Sequence, residues 1–166
     1  MFTLSTHIEL PIAHRLPSAY SGLCVGNVSQ NGTVMYPADT FGCVHGHNYN
    51  ITIKVSANNT DGDYMVMDFK KVKKIIHEVL DPYDHSLILK EGDELIDFYI
   101  KGFKDRNVDI KDSRVFIWPE APTAEYMAFI WYHVFKEKFC DEGLTVEKMS
   151  VTVEETSNNS VTYEEN

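Results

Sequence analysis

The stretch His45-Gly46-His47-Asn48-Tyr49-Asn50-Ile51-Thr52-Ile53-Lys54-Val55-Ser56-Ala57 changes character at every residue from Asn48 onward. Tyr49, Ile51, Ile53, Val55 and Ala57 share one phase; Asn48, Asn50, Thr52, Lys54 and Ser56 share the other. A period of two with one apolar phase describes a strand that buries a single face. Upstream, Phe2, Leu4, Ile8, Leu10 and Ile12 mark a similar strand over residues 2–14, with Ser5, His7 and Glu9 facing outward and Pro11 predicting an edge or a bulge. Between the two strands, residues 24–43 are rich in Gly, Asn, Ser and Thr, and Asn31-Gly32 is a turn signal between Val28 and Val34-Met35-Tyr36, so a loop or short hairpin is expected.

Downstream of the turn at 58–63 the period lengthens. Asp68 can cap a helix carrying Phe69, Val72, Ile75, Ile76, Val79 and Leu80 on one stripe, which Pro82 ends. Residues 90–112 are charged and weakly periodic, and predict a loop or a short helix around Leu95 to Tyr99. Residues 115–118 read as a short strand. Pro122-Thr123 opens a second helix, with Thr123 as cap and Met127, Ile130, Trp131, Val134, Phe135 and Phe139 inward. A last strand, 146–155, buries Met149, Val151 and Val153. Alternation between the two periods makes this an α+β chain.

Composition bounds what such a chain can do. Its 166 residues, 43% of them hydrophobic, suffice for one domain with a full core. A formal charge of −10, from 25 acidic and 15 basic residues, repels phosphate backbones and anionic lipid, which argues against nucleic acid and membrane partners. No apolar run approaches the roughly 20 residues that span a bilayer, and no signal peptide is read. Three cysteines, Cys24, Cys43 and Cys140, are an odd and irregular set that predicts free thiols in a reducing cytoplasm.

Strand parity then exposes an anomaly. His14 ends the first strand in core phase, and His45 and His47 begin the second in core phase. Residues i and i+2 point the same way, and if the two strands pair antiparallel, His14 lies opposite them. Three neutral imidazoles make a metal site that most often selects zinc, with a fourth position left for water or substrate. Glu155 continues the phase of Met149, Val151 and Val153, so either a carboxylate points along the buried face, where it must find donors, or the strand has run out into solvent. Asp84-His85 is a further polar pair in an apolar neighbourhood.

In chain order, His14-Arg15-Leu16-Pro17, His45-Gly46-His47-Asn48-Tyr49, Met65-Val66-Met67-Asp68-Phe69, Asp84-His85, Pro122-Thr123-Ala124-Glu125 and Glu155-Thr156 resemble the 6-pyruvoyltetrahydropterin synthases and the related 6-carboxytetrahydropterin synthases of the queuosine pathway. The resemblance runs from about residue 2 to residue 163. It implies a T-fold, a small antiparallel sheet with two helices on one face, as a single domain over residues 1–166 that assembles into barrels, commonly a homo-hexamer of two trimers with active sites at subunit interfaces. It also implies catalytic Zn2+ on His14, His45 and His47, the residues that parity reaches independently. Glu155 matches the acid that anchors the pterin ring, and a carboxylate can accept two parallel N–H bonds from such a ring. Thr123 and Glu125 match the motif lining the pterin pocket, and Asp84 and His85 match a proton relay serving a neighbouring subunit.

The family's third relay member is a cysteine a few residues before the His-Gly-His motif, where this chain has Asp39 and Phe41 instead. Counted from upstream, Tyr20-Ser21-Gly22-Leu23-Cys24 after His14-Arg15-Leu16-Pro17 fits the bacterial spacing, as if an insertion at about 25–43 followed the cysteine. Cys24 is therefore the expected thiol; Cys43, two before His45, is the runner-up, or a fourth ligand or packed residue, and Cys140 is expected only to pack. The implied reaction is zinc-dependent conversion of 7,8-dihydroneopterin triphosphate to 6-carboxytetrahydropterin, with loss of triphosphate and acetaldehyde. The alternatives are the pyruvoyl reaction, triphosphate elimination alone, and a non-catalytic pterin or zinc binder. A glutamate-dependent subgroup is disfavoured because no Glu lies between His14 and His45, and a cupin because of the two long helices. Arg15 and Lys54 are candidate triphosphate contacts by charge and position.

Overall fold

The computed structural model describes residues 1–16, 27–28, 34–35, 43–58, 65–144 and 146–165. Its strands are β1 (Phe2–His14), β2 (Asn27–Val28), β3 (Val34–Met35), β4 (His45–Ala57), β5 (Ser86–Lys90), β6 (Val115–Trp118), β7 (Lys148–Thr156) and β8 (Asn159–Glu164), and its helices are α1 (Phe69–Leu80), α2 (Glu94–Lys104) and α3 (Ala124–Asp141). Six strands hydrogen-bond in the order β6-β5-β1-β4-β7-β8, while β2 and β3 form an antiparallel pair of their own, the predicted hairpin, whose Asn31-Gly32 turn lies outside the described residues. No helix among the described residues is long and apolar enough to cross a membrane.

The chain divides into two compact units: Met1–Pro11, His47–Asp84 and Ala124–Asn166 form one, and Ile12–Gly46 with His85–Thr123 form the other. In the first, β4 pairs antiparallel with β7 from Asn50↔Glu154 to Ser56↔Lys148, and β7 with β8. The alternation read from the sequence is obeyed along β4 as far as Val55, with Tyr49, Ile51, Ile53 and Val55 having no exposed surface, but Ser56, read as outward, is buried as well. Helix α1 starts where expected, because the Asp68 carboxylate accepts from the Lys70 amide at 2.8 Å. It buries Val72, Ile75, Ile76, Val79 and Leu80, but Phe69, placed on that stripe by sequence, is 53% exposed at the first turn. Helix α3 packs on α1, β7 and β8 and buries Met127, Trp131, Phe135 and Phe139; Ile130 and Val134 are only half-buried, and Ala128 and Tyr132 take their place. Strand β8 extends the chain's last predicted strand into a hairpin through Ser157-Asn158.

The second unit departs further from expectation. Here β5 runs parallel to the end of β1, with Ile12↔Ser86, Ala13↔Leu87 and His14↔Ile88, and β6 runs parallel to β5. The sheet is therefore mixed rather than antiparallel, and α2 is a third helix in the region expected to hold a loop or one short turn. Asp93 starts that helix by accepting from the Leu95 amide at 2.9 Å. Pro11 fits its place: β5 pairs with β1 only from Ile12 onward, so its missing N–H interrupts no bond on that side.

Candidate metal centre

His14 ends β1 and is completely buried, and its ring centroid lies 4.5 Å from that of His45. His47 follows two residues along β4, and one ligand atom from each of the three histidines lies within 4.8 Å of the others. This is the only such metal-capable group among the described residues. The strand parity that singled out these residues thus has its physical counterpart.

The ring orientations are fixed by carbonyl oxygens. His14 Nδ1 is 2.7 Å from the Pro122 carbonyl, and His45 Nδ1 is 2.9 Å from the Cys43 carbonyl. A carbonyl can only accept, so each Nδ1 carries a hydrogen, and in the neutral ring the lone pair is then on Nε2. This is the arrangement that metal-binding histidines use, with an outer acceptor holding the tautomer and orientation of the ring. The donor set fits a borderline-soft divalent ion such as zinc. Close approach of the two strands depends on Gly46: a Cβ there would lie 3.2 Å from the Ile12 carbonyl oxygen.

Glu155 sits where the β7–β8 register shifts, between Glu154 and Thr156. Such an irregularity re-aims a side chain. The Tyr49 hydroxyl donates to Glu155 Oε1 at 3.2 Å, and His47 Nε2 is 3.6 Å from the same oxygen, both side chains of the latter pair being about a quarter exposed (24% and 28%). The strand has therefore not simply run out into solvent. Burial, then the charge of Glu155 and the hydrogen bond to it, push the Tyr49 phenol far above its ordinary value, so it remains a neutral donor.

The other expected residues are distributed differently. Asp84 is half-buried, its amide closing a turn on the Asp81 carbonyl, and His85 is exposed in the left-handed region at φ 54°. Neither joins the histidine group. Thr123 is half-buried, with its amide bonded to the Ala121 carbonyl, and Glu125 is exposed in the first turn of α3. Cys24 lies outside the described residues. Cys43 is disulfide-bonded, which corrects the expectation of three free thiols and removes it as a thiolate ligand; what it contributes is its carbonyl. Cys140 is free but exposed rather than packed.

Neither candidate triphosphate contact survives. Arg15 is 3% exposed, and its guanidinium is taken up by Asp93 at 2.7 Å and Glu94 at 2.8 Å. Lys54 lies on β4 in the opposite phase from His45 and His47, so it points to the other face. Sequence reasoning missed Tyr49 as more than a core residue, although its position in the strand phase of His47 was the available signal. The Pro122 and Cys43 carbonyls had no signal, since every residue carries one.

The family described as 6-pyruvoyl tetrahydropterin synthase matches residues 3–166. A 6-carboxy-5,6,7,8-tetrahydropterin synthase of Rickettsia typhi is similar to this chain at 31% identity over 110 residues, 65% of this chain and 75% of the relative. Another, from Aquifex aeolicus, is 28% identical over 124 residues, 74% of each chain. Among solved structures, the 6-pyruvoyl tetrahydropterin synthase of Caenorhabditis elegans shares the fold, with a TM-score of 0.59 at 24% identity over 99% of this chain and 96% of that one. Because the family match runs from the first strand through the last and takes in all three histidines, the chain belongs to the 6-pyruvoyl tetrahydropterin synthase family.

Proposed function

We propose that the chain is a zinc-dependent lyase that converts 7,8-dihydroneopterin triphosphate to 6-carboxy-5,6,7,8-tetrahydropterin, releasing triphosphate and acetaldehyde, a step toward 7-deazaguanine nucleosides. The observation that carries this reading is the convergence of His14, His45 and His47, two of them held by Nδ1 hydrogen bonds to carbonyls, on strands whose neighbour supplies Glu155. The names of the Rickettsia typhi and Aquifex aeolicus relatives support the carboxy product. Zinc, held by the three imidazoles, would supply Lewis acidity to the substrate's side-chain oxygens.

The chain's own residues do the rest. Glu155 accepts the 2-amino and ring N–H groups of the pterin, and Tyr49 steadies the carboxylate with a hydrogen bond it does not surrender. Thr123 and Glu125 line the pterin pocket. Cys24, as thiolate, removes a side-chain proton, and His85, oriented by Asp84, relays protons in the site of a neighbouring subunit. The working form is a cytoplasmic homo-hexamer of two trimers, each chain one domain with an insertion at about 25–43.

Mass-spectrometric product analysis of zinc-loaded protein with 7,8-dihydroneopterin triphosphate, alongside an acetaldehyde assay, tests the reading. A 6-carboxy product with acetaldehyde supports it. A three-carbon side chain without acetaldehyde would make the protein a pyruvoyl synthase, the reading that the family's description favours. Binding of zinc and pterin with no turnover, under reducing conditions, would make it a binding protein of the same fold.

A further inference from the structure

His14 is the most deeply buried of the three histidines, and both of its anchors arise from the segment His85–Thr123. One is the Pro122 carbonyl that holds its ring. The other reaches it through the next residue. Arg15 Nη1 donates to Asp93 Oδ1 at 2.7 Å, and Nη2 to Glu94 Oε1 at 2.8 Å; Arg15 and Asp93 are 3% and 5% exposed. Asp93 follows β5 by a tight turn, with Gly92 at φ 82° and the Asp93 amide bonded to the Lys90 carbonyl at 3.0 Å. Strand β5 in turn pairs Ile88 with His14 itself. The circuit His14, Arg15, Asp93, Lys90, β5 and back to His14 is closed by one ion pair and one strand register.

That ion pair is a poor way to gain stability, because desolvating two charges offsets most of their attraction. Asp93 Oδ2 adds to the cost, being buried without a hydrogen-bond partner. What the pair does provide is a fixed geometry at the residue beside a metal ligand. We infer that Arg15 and Asp93 are positioning residues that set the place of His14, and through it the affinity of the centre for its metal. This rests on the three-histidine metal reading, but on no particular substrate.

Asp93→Ser isolates the ion pair, since Ser caps a helix as well as Asp does, so the start of α2 is kept, while its uncharged hydroxyl on a shorter side chain no longer holds Arg15 Nη1. Zinc affinity by chelator competition, and the visible spectrum of the cobalt-substituted protein, should be read together with the melting temperature of the apo-protein. The expected result is a loss of about 10- to 100-fold in zinc affinity and an altered cobalt spectrum, the scale seen when an outer support of a metal ligand is removed. Val72→Ala, in the buried face of α1, is the control for simple loss of stability and should leave affinity and spectrum unchanged. If Asp93→Ser does not fold, Arg15→Lys keeps the charge but loses the two-carboxylate fork, and the same loss is expected. Wild-type affinity and spectrum in the folded variant would overturn the inference, as would an equal affinity loss in Val72→Ala. Failure of the unmutated protein to bind zinc would instead overturn the metal reading itself.

Discussion

Gly46 lies between two of the proposed ligands, and replacing it tests the site without touching any group that binds. An alanine Cβ would stand 3.2 Å from the Ile12 carbonyl oxygen and 3.6 Å from Ala13 Cα, so β4 must withdraw from β1 by a few tenths of an ångström. Overpacking of this kind costs about 1–3 kcal/mol. Relief of glycine's conformational entropy in a strand returns about 0.5–1 kcal/mol, leaving a net loss of about 0–2.5 kcal/mol, which the fold should survive. The metal site is less forgiving, because ligand distances must be met to within about 0.2 Å. His14 and His45 sit on the two strands that are pushed apart. Gly46→Ala should therefore lower zinc affinity by about 10- to 100-fold, as outer-shell damage does, while the apo-protein melts only slightly earlier. Gly102→Ala is the counterpart: a Cβ there meets nothing within 4 Å, so it should stabilise α2 by about 1 kcal/mol and leave zinc binding alone. A folded Gly46→Ala protein with unaltered zinc affinity would refute the close-approach reasoning.

Glu155→Gln should weaken pterin binding by about 1.5–3 kcal/mol, the value of a hydrogen bond to a charged group, and calorimetry with a substrate analogue would show it. Thiol titration of unfolded protein that has not met a reductant should find one reactive sulfur, Cys140, and three after reduction; turnover that relies on Cys24 should need the reductant. The hydrogen bond and charge of Lys136 hold the Glu165 carboxyl below its ordinary range. That tie is present above the unfolded carboxylate pKa and is lost as pH falls through the folded value. Lys136→Met removes the tie, so an NMR titration should find Glu165 taking up its proton at higher pH.

The strands and helices that the sequence revealed are those in which burial is periodic and one-sided. Along β4 burial falls on alternate residues from Tyr49 to Val55, until Ser56 is buried too, and along α1 five of six stripe residues are buried. Strand β5 was missed for the opposite reason. Ser86, Leu87, Ile88 and Leu89 are all buried, as parallel strands covered on both faces tend to be, so no alternation marks them. Helix α2 was under-read because none of its residues is buried; its length comes from the Asp93 cap, acidic residues in its first turn and lysines in its last, all of which look like surface charge.

The site divides along a similar line. Side chains that violate a pattern can be found by counting: His14, His45, His47 and Glu155 each carry a polar group in an apolar phase. Groups that support them violate nothing. Pro122 and Cys43 act through carbonyls, and Asp93 acts from a helix start, where an aspartate is ordinary. The Cys43 carbonyl is local to His45, but the roles of Pro122 and Asp93 exist only because β5 returns parallel to the end of β1 and brings the segment after it to His14. A ligand's identity is thus written locally, whereas the tautomer and position of His14 depend on residues more than 70 positions away, Asp93 against Arg15 (|i−j| = 78) and Pro122 against His14 itself (|i−j| = 108). Substitutions in β5, or at Asp93 where α2 starts, should accordingly alter metal affinity although all three histidines are retained.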